Sequence, residues 1–250
     1  MSCVLTAEEW TAGLDEVVAE LLSAAGVTGP PVDAALVASA LGLTVAWDEA
    51  QSGRARYVRV GGAGARRPRA MILLRRDPRR EREQWALAHE LGEHAAARVF
   101  HRWGLDPCEV GPALREQVAN RLAARLLAPT PWLLDDARQL DWHLAALKAR
   151  YATASHELLA RRMLECPPAV IVTIFDHGRM TFRRGNRPGR APSPMVDEWR
   201  CWRQVHANSA PCRLQADCQG LARVDGWPVH EPEWKREILR AELAEDSFDG

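Results

Sequence analysis

Thr6-Ala7-Glu8-Glu9 forms a capping box, and apolar positions recur at helical spacing from there to about Ala25. A Gly/Pro break at 26–31 ends that helix, and Pro31 is positioned to start a second one that stops at Gly42. The pattern then shortens. Residues 43–47, 56–60 and 70–74 read as strands, with a Gly/Arg-rich loop over 61–68 between the last two. Helical periodicity returns over 82–98, led in by the charged stretch 77–83, which places Glu81 and Glu83 at the first turn, where the helix dipole favours acids. A strongly periodic helix over 113–127 is stopped by Pro129 and Pro131. Shorter helices follow at 132–138, 143–150 and 155–164.

After Pro167-Pro168 the texture changes. A β-branched run at 169–175, a turn at Asp176-His177-Gly178 and a partner at 179–183 predict a hairpin. A Pro/Gly/Arg loop leads into a Trp-rich helix at 194–206, and 233–244 reads as a helix before an acidic tail. Trp199, Trp202, Trp227 and Trp234 read as core of this part. The expected organisation is α+β: a mainly helical domain with a small twisted sheet over 1–166, then a C-terminal α+β region over 167–250.

Composition narrows the partners. Thirty-three basic and 33 acidic residues give a formal net charge of zero, so no bulk attraction to nucleic acid or an anionic membrane is expected. Arg161 and Arg162 on the 155–164 helix raise a DNA-recognition reading, but their surroundings are not markedly basic, and DNA is not the expected partner. The first ten residues carry Glu8 and Glu9 and lack the apolar core of a signal peptide, and no uncharged apolar run approaches a membrane span. A cytoplasmic protein with free thiols is therefore expected, because Cys3, Cys108, Cys166, Cys201, Cys212 and Cys218 form no C-x-x-C pair. A second metal site from Cys201, His206, Cys212 and Cys218 would need irregular spacing.

The chemistry concentrates at residues 86–94, Ala-Leu-Ala-His-Glu-Leu-Gly-Glu-His. This is the H-E-x-x-H pattern of zinc peptidases with one change: Glu93 stands at the second ligand position and His94 follows it. A helix advances about 100° per residue, so His89 and Glu93 fall roughly 40° apart and one turn along, where both can face one ion. His94 lies roughly 140° from His89 and reaches the same ion only if the helix bulges. Glu90 points aside, where it can act as general base toward water. A third ligand usually comes from a second helix, and Glu116 is the candidate, sharing a face with Asn120. By spacing alone Glu116 reads equally well as an exposed acid beside Arg115.

The segment 86–94, followed by Arg115-Glu116-x-x-Ala119-Asn120-x-x-Ala123-x-x-Leu126-Leu127-x-Pro129, resembles the ImmA/IrrE family of metallopeptidases. Pro31-Val32-Asp33, the 41–45 segment and the 151–157 segment extend the likeness over roughly residues 10–165, with Leu122 at a position where the family has Phe. The resemblance implies a zincin-like metallopeptidase with His89 and Glu116 as metal ligands and Glu90 as general base. The metal implied is Zn²⁺, with Mn²⁺ or Fe²⁺ as alternatives. It also implies a protein substrate, often a repressor with an XRE-type helix-turn-helix. At the second ligand position three readings stand: Glu93 ligates, His94 ligates through a distorted helix, or no metal binds and the fold serves as a catalytically inactive regulatory or binding module. His143 and Tyr151 are candidate hydrogen-bond donors to a reacting carbonyl, and His156-Glu157 is a second H-E pair without an i+4 ligand.

Overall fold

The computed structural model describes residues 6–60, 69–217 and 220–244. They pack as two compact units, one of Met1–Asp141 with Lys148–Ser155 and the other of Trp142–Leu147 with His156–Gly250. The class is α+β, as the hydrophobic pattern predicts.

In the first unit, α1 (Ala7–Ala24) starts at the expected capping box: Glu9 N–H donates to Thr6 Oγ1 at 3.1 Å, and Thr6 N–H donates to the Glu9 carboxylate at 2.9 Å. Its stripe of Leu14, Val17, Val18, Leu21 and Leu22 is buried. Helix α2 (Ala34–Ala40) begins later than Pro31. Its cap is Asp33, whose Oδ1 accepts the Ala35 N–H at 2.9 Å and so satisfies one of the orphan donors of the first turn. Gly42, at φ +72°, ends the helix in the left-handed conformation that glycine adopts without strain.

Three strands follow: β1 (Thr44–Trp47), β2 (Ala55–Val60) and β3 (Arg69–Leu74). Their order is β1-β3-β2, with β1 parallel and β2 antiparallel to β3, which leaves β2 at an edge. The expected 61–68 loop lies outside the described residues. Helix α3 (Arg80–Arg102) carries Glu81 and Glu83 in its first turn. It packs on α4 (Pro112–Leu127), and α5 (Thr130–Gln139) follows; α6 (Leu144–Arg150) begins in the second unit's segment and ends in the first's.

The α3–α4 contact turns on one residue. A Cβ at Gly92 would stand 2.4 Å from the Ala119 carbonyl oxygen, so only glycine lets the two backbones meet there. Leu91, Ala95, Ala96 and Val99 on α3, with Val118, Leu122, Ala123 and Leu126 on α4, are buried around this crossing.

The second unit contains α7 (His156–Arg162), a 3₁₀ turn at Met163–Glu165, β4 (Val170–Asp176), β5 (Arg179–Gly185), α8 (Val196–Asn208), β6 (Cys212–Gln215), β7 (Leu221–Glu231) and β8 (Trp234–Leu243). The five strands form an antiparallel sheet in the order β5-β4-β8-β7-β6. The helix expected over 233–244 is therefore a strand, β8, paired on both sides with β4 and β7. Its Lys, Arg, Glu and Leu residues favour a helix locally, but two full ladders of backbone hydrogen bonds and a buried position override that preference. Helix α8 rests on β7 at Gly226, where a Cβ would come within 2.8 Å of Val205 Cγ2, Cys201 Sγ and Leu239 Cδ2. Trp227 is buried as expected, whereas Trp199 and Trp234 are partly exposed. Among the described residues, Cys108, Cys166, Cys201 and Cys212 are free thiols, and no helix is long and apolar enough to cross a membrane.

Candidate metal centre

The crossing at Gly92 and Ala119 carries Glu116, one turn earlier on α4, to the face of α3 that bears His89. Glu116 Oε2 stands 3.6 Å from His89 Nε2. One donor atom from each of His89, Glu93 and Glu116 lies within 4.8 Å of the others, and among the described residues no other group of metal-ligating side chains is gathered so closely. Two ligands on a tetrahedral ion with bonds of about 2.0–2.1 Å are roughly 3.3 Å apart. The set is slightly wider than that, and the exposed Glu93 and Glu116 side chains have the rotamer freedom to close on an ion.

Charge makes the same point. Glu90, Glu93 and Glu116 surround a single imidazole, and among the described residues no arginine or lysine forms an ion pair with any of them. An imidazole and carboxylate oxygens gathered at this spacing are a donor set that fits a divalent metal. Asn120 Nδ2 donates to Glu116 Oε1 at 2.8 Å, one turn along α4, which leaves Oε2 as the oxygen facing His89.

Glu90 is held differently. Its Oε2 accepts the Tyr57 backbone N–H from the edge strand β2 at 2.8 Å. Burial pushes its carboxyl above the ordinary carboxylate range; the Tyr57 N–H and His89 pull it back in part, while Glu93 and Glu116 push it further up. The side chain shares an open cleft of about 510 Å³ with Ala55, Arg56, Tyr57, Glu93, His94 and Ala97.

His94 stands outside the ligand group. Helix α3 runs unbroken through it, with no bulge to swing an i+5 residue toward His89, and the imidazole lies in the cleft with its ring 5.6 Å from that of Tyr57. The two candidate donors to a reacting carbonyl have other partners. Tyr151 Oη donates to Asp136 Oδ2 at 2.8 Å, and burial raises its pKa further. His143 Nδ1 accepts the Ala146 N–H at 3.2 Å and its ring packs against Trp227. Glu157, of the second H-E pair, forms ion pairs with Arg161 and Arg236. Arg162 of the proposed recognition helix is buried and paired with Glu165. Of the conceivable second metal site, Cys218 lies outside the described residues, while His206 Nδ1 bonds the Glu237 carboxylate at 2.9 Å and Cys201 packs in the core beneath α8.

Sequence reasoning did not find the Tyr57 N–H or the wall that β2 gives the cleft, because both depend on how a strand far from the motif is paired. The Gly92–Ala119 contact had a signal: two very small residues at facing positions of two neighbouring helices.

Residues 48–164 match the sequence profile of the IrrE N-terminal-like domain, Peptidase M78. This part of the chain belongs to the ImmA/IrrE family. The match spans β2, β3 and both helices of the metal centre, so the family's peptidase-related architecture covers every residue of the candidate site. Among solved structures, a Mycobacterium tuberculosis transcriptional regulator superposes with a TM-score of 0.63 at 14% identity, over 92% of this chain and 75% of that one. At that identity the likeness shows the fold alone. No curated protein matches the sequence.

Proposed function

We propose that the ImmA/IrrE-like unit is a metal-dependent peptidase that hydrolyses a peptide bond of a protein partner. The observation that carries this reading is the convergence of His89, Glu93 and Glu116 beside a half-buried Glu90 that lines a cleft together with Glu93. His89 would hold the ion through Nε2, Glu116 through Oε2, and Glu93 through one carboxylate oxygen. When bound, a divalent ion supplies Lewis acidity toward a carbonyl oxygen and toward water. Two carboxylates and one imidazole make a harder, more anionic ligand set than two histidines and a glutamate, so Mn²⁺ or Fe²⁺ would suit the site as well as Zn²⁺. Glu90, its proton affinity raised by burial, takes the proton from the attacking water and delivers it to the leaving amine. Asn120 keeps Glu116 oriented. The partner we propose, by resemblance to the family, is an XRE-type repressor, and a role in transcription is part of the same proposal.

A second reading, a non-catalytic binding module that keeps the fold, is favoured by one observation: Glu93 occupies the place of the second histidine. Elemental analysis after incubation with Zn²⁺, Mn²⁺ and Fe²⁺ separates the two. The peptidase reading expects about one ion per chain, lost in Glu93→Ala and Glu116→Ala and kept in His94→Ala. It also expects Glu90→Gln to keep the ion and lose cleavage of a co-expressed repressor. A parent protein that takes up no ion leaves only the binding module, and a Glu90→Gln protein that still cleaves removes the proposed mechanism.

A further inference from the structure

We propose that the outer edge of β5, with the loop that follows it, is a docking surface for an acidic peptide segment in extended conformation. Between Asp176 and Asp197 the chain holds Arg179, Arg183, Arg184, Arg187 and Arg190 and no acidic residue. The structure puts this stretch at the margin of the five-stranded sheet. β5 pairs only with β4, and among the described residues no strand meets its other side.

One of the five arginines is structural. Arg183 forms two hydrogen bonds to the buried Glu198 carboxylate, at 2.7 and 3.0 Å, and donates through Nε to the Pro192 carbonyl at 2.7 Å. The other four are exposed and make no ion pair among the described residues. The acids around them are already engaged. Asp176 accepts from Arg236 and from Thr181 Oγ1, Glu157 pairs with Arg161 and Arg236, and Glu198 belongs to Arg183. The positive charge along this edge therefore has no internal counterpart.

The surface is also held in shape. Asn186 accepts the Val170 N–H at 2.8 Å and donates to the carbonyls of Cys166 and Pro168, at 3.0 and 2.8 Å. With the Arg183–Pro192 bond, this fixes the loop at both ends, so Arg187 and Arg190 are displayed with little ordering left to lose on binding. Along β5, Phe182 and Arg184 share one face, and a bulge at Thr181 turns Met180 to the other. Met180 is 47% exposed, and the Phe182 ring has the Arg161 guanidinium 4.2 Å and that of Arg184 5.9 Å from its centroid. The edge thus offers an unpaired backbone, an exposed Met180 and a cationic rim. Edge arginines that served only to repel other strands would not need an exposed Met180 beside them. An added strand completes the backbone ladder while its acidic side chains meet the rim, which is recognition by strand addition. A nucleic acid would use the cations but not the ladder, and a chain of zero net charge gives it no long-range pull.

The test uses the full chain and fluorescence anisotropy with three labelled probes of equal length: an alternating Glu-Val peptide, an alternating Lys-Val peptide and oligothymidylate. The Glu-Val peptide is expected to bind tightest, to weaken as salt is added, and to protect the amides of residues 179–185 from hydrogen exchange. Arg184→Glu with Arg187→Glu, both exposed, should weaken it by about tenfold without moving Tm. Met180→Lys should weaken it independently of those charges. No binding at low salt, equal binding of the Lys-Val peptide, tighter binding of oligothymidylate, or indifference to the double charge reversal would each overturn the proposal.

Discussion

The two units handle their carboxylates differently. In the second unit every buried acid among the described residues meets a cationic or imidazole partner from its own chain: Asp197 has Arg200, Glu198 has Arg183, Asp225 has Arg213, Arg223 and Arg240, and Glu237 has His206 and His230. The first unit follows the same rule away from the cleft, where the buried Arg125 pairs with Asp15. The cluster where α3 crosses α4 differs: the half-buried Glu90 and the exposed Glu93 and Glu116 gather beside His89, and among the described residues no arginine or lysine pairs with them. An internal pair must repay the desolvation of both charges and serves to fix a packing arrangement. A cluster of three carboxylates without such a pair is suited to a cation from outside.

The sharpest break of that contrast is a methyl group. Gly92→Ala drives a Cβ into the Ala119 carbonyl, a backbone atom that cannot rotate away, so the helices must separate. The expected cost is about 3 kcal/mol in urea unfolding, with loss of the bound ion because Glu116 moves with α4. Gly226→Ala meets three side-chain atoms instead, beneath α8. Those can repack, so the expected cost is about 1–2 kcal/mol with ion content unchanged. Loss of the ion in Gly226→Ala would contradict the view that the centre depends on the α3–α4 crossing alone.

A smaller effect sharpens the contrast at the ligands. Glu93→His restores the H-E-x-x-H pattern and exchanges a hard carboxylate for an imidazole. Zn²⁺ should bind roughly tenfold tighter, or about 1.4 kcal/mol, and the ratio of Zn²⁺ to Mn²⁺ affinity should rise, as read by competition with a chromophoric chelator. An unchanged ratio would mean that Glu93 does not touch the ion.

Much of this was legible in the chain. His89, Glu93 and Glu116 follow from helix spacing and the family pattern, and α1, α3 and α4 from apolar periodicity, because each helix buries one continuous stripe. What failed is instructive. β8 is hidden by Glu237 and Arg240, charged residues that read as a helix surface but are buried in a central strand, where His206, His230, Asp225 and Glu242 partner them. No local pattern announces a buried charge whose partners lie on other elements. The start of α2, at Ala34, differs from the sequence pattern for a related reason. Pro31 carries a helix-starting signal, yet the Asp33 side chain supplies the actual hydrogen bond to the first turn. The cleft wall at Tyr57 depends on β2 lying at a sheet edge, which strand pairing decides and residue identity does not.

The mildest test returns to an acid of the second unit that is paired within the chain. Burial pushes the Asp176 carboxyl up, but hydrogen bonds from Arg236 and Thr181 outweigh it and leave its pKa below the ordinary value. A carboxylate depressed on folding adds stability that is present above its unfolded pKa, near 4, and is lost as pH falls through the lower folded value. The parent protein should therefore lose stability below about pH 4 more steeply than Asp176→Asn, which cannot titrate there. At neutral pH the variant should be weaker by about 1 kcal/mol, since Arg236 keeps Glu157 as a partner. If both proteins lost stability in parallel through the acid range, the Asp176–Arg236 pair would be contributing nothing. The contrast between internally balanced charge in one unit and charge left for a cation in the other would then rest on the deeply buried pairs alone.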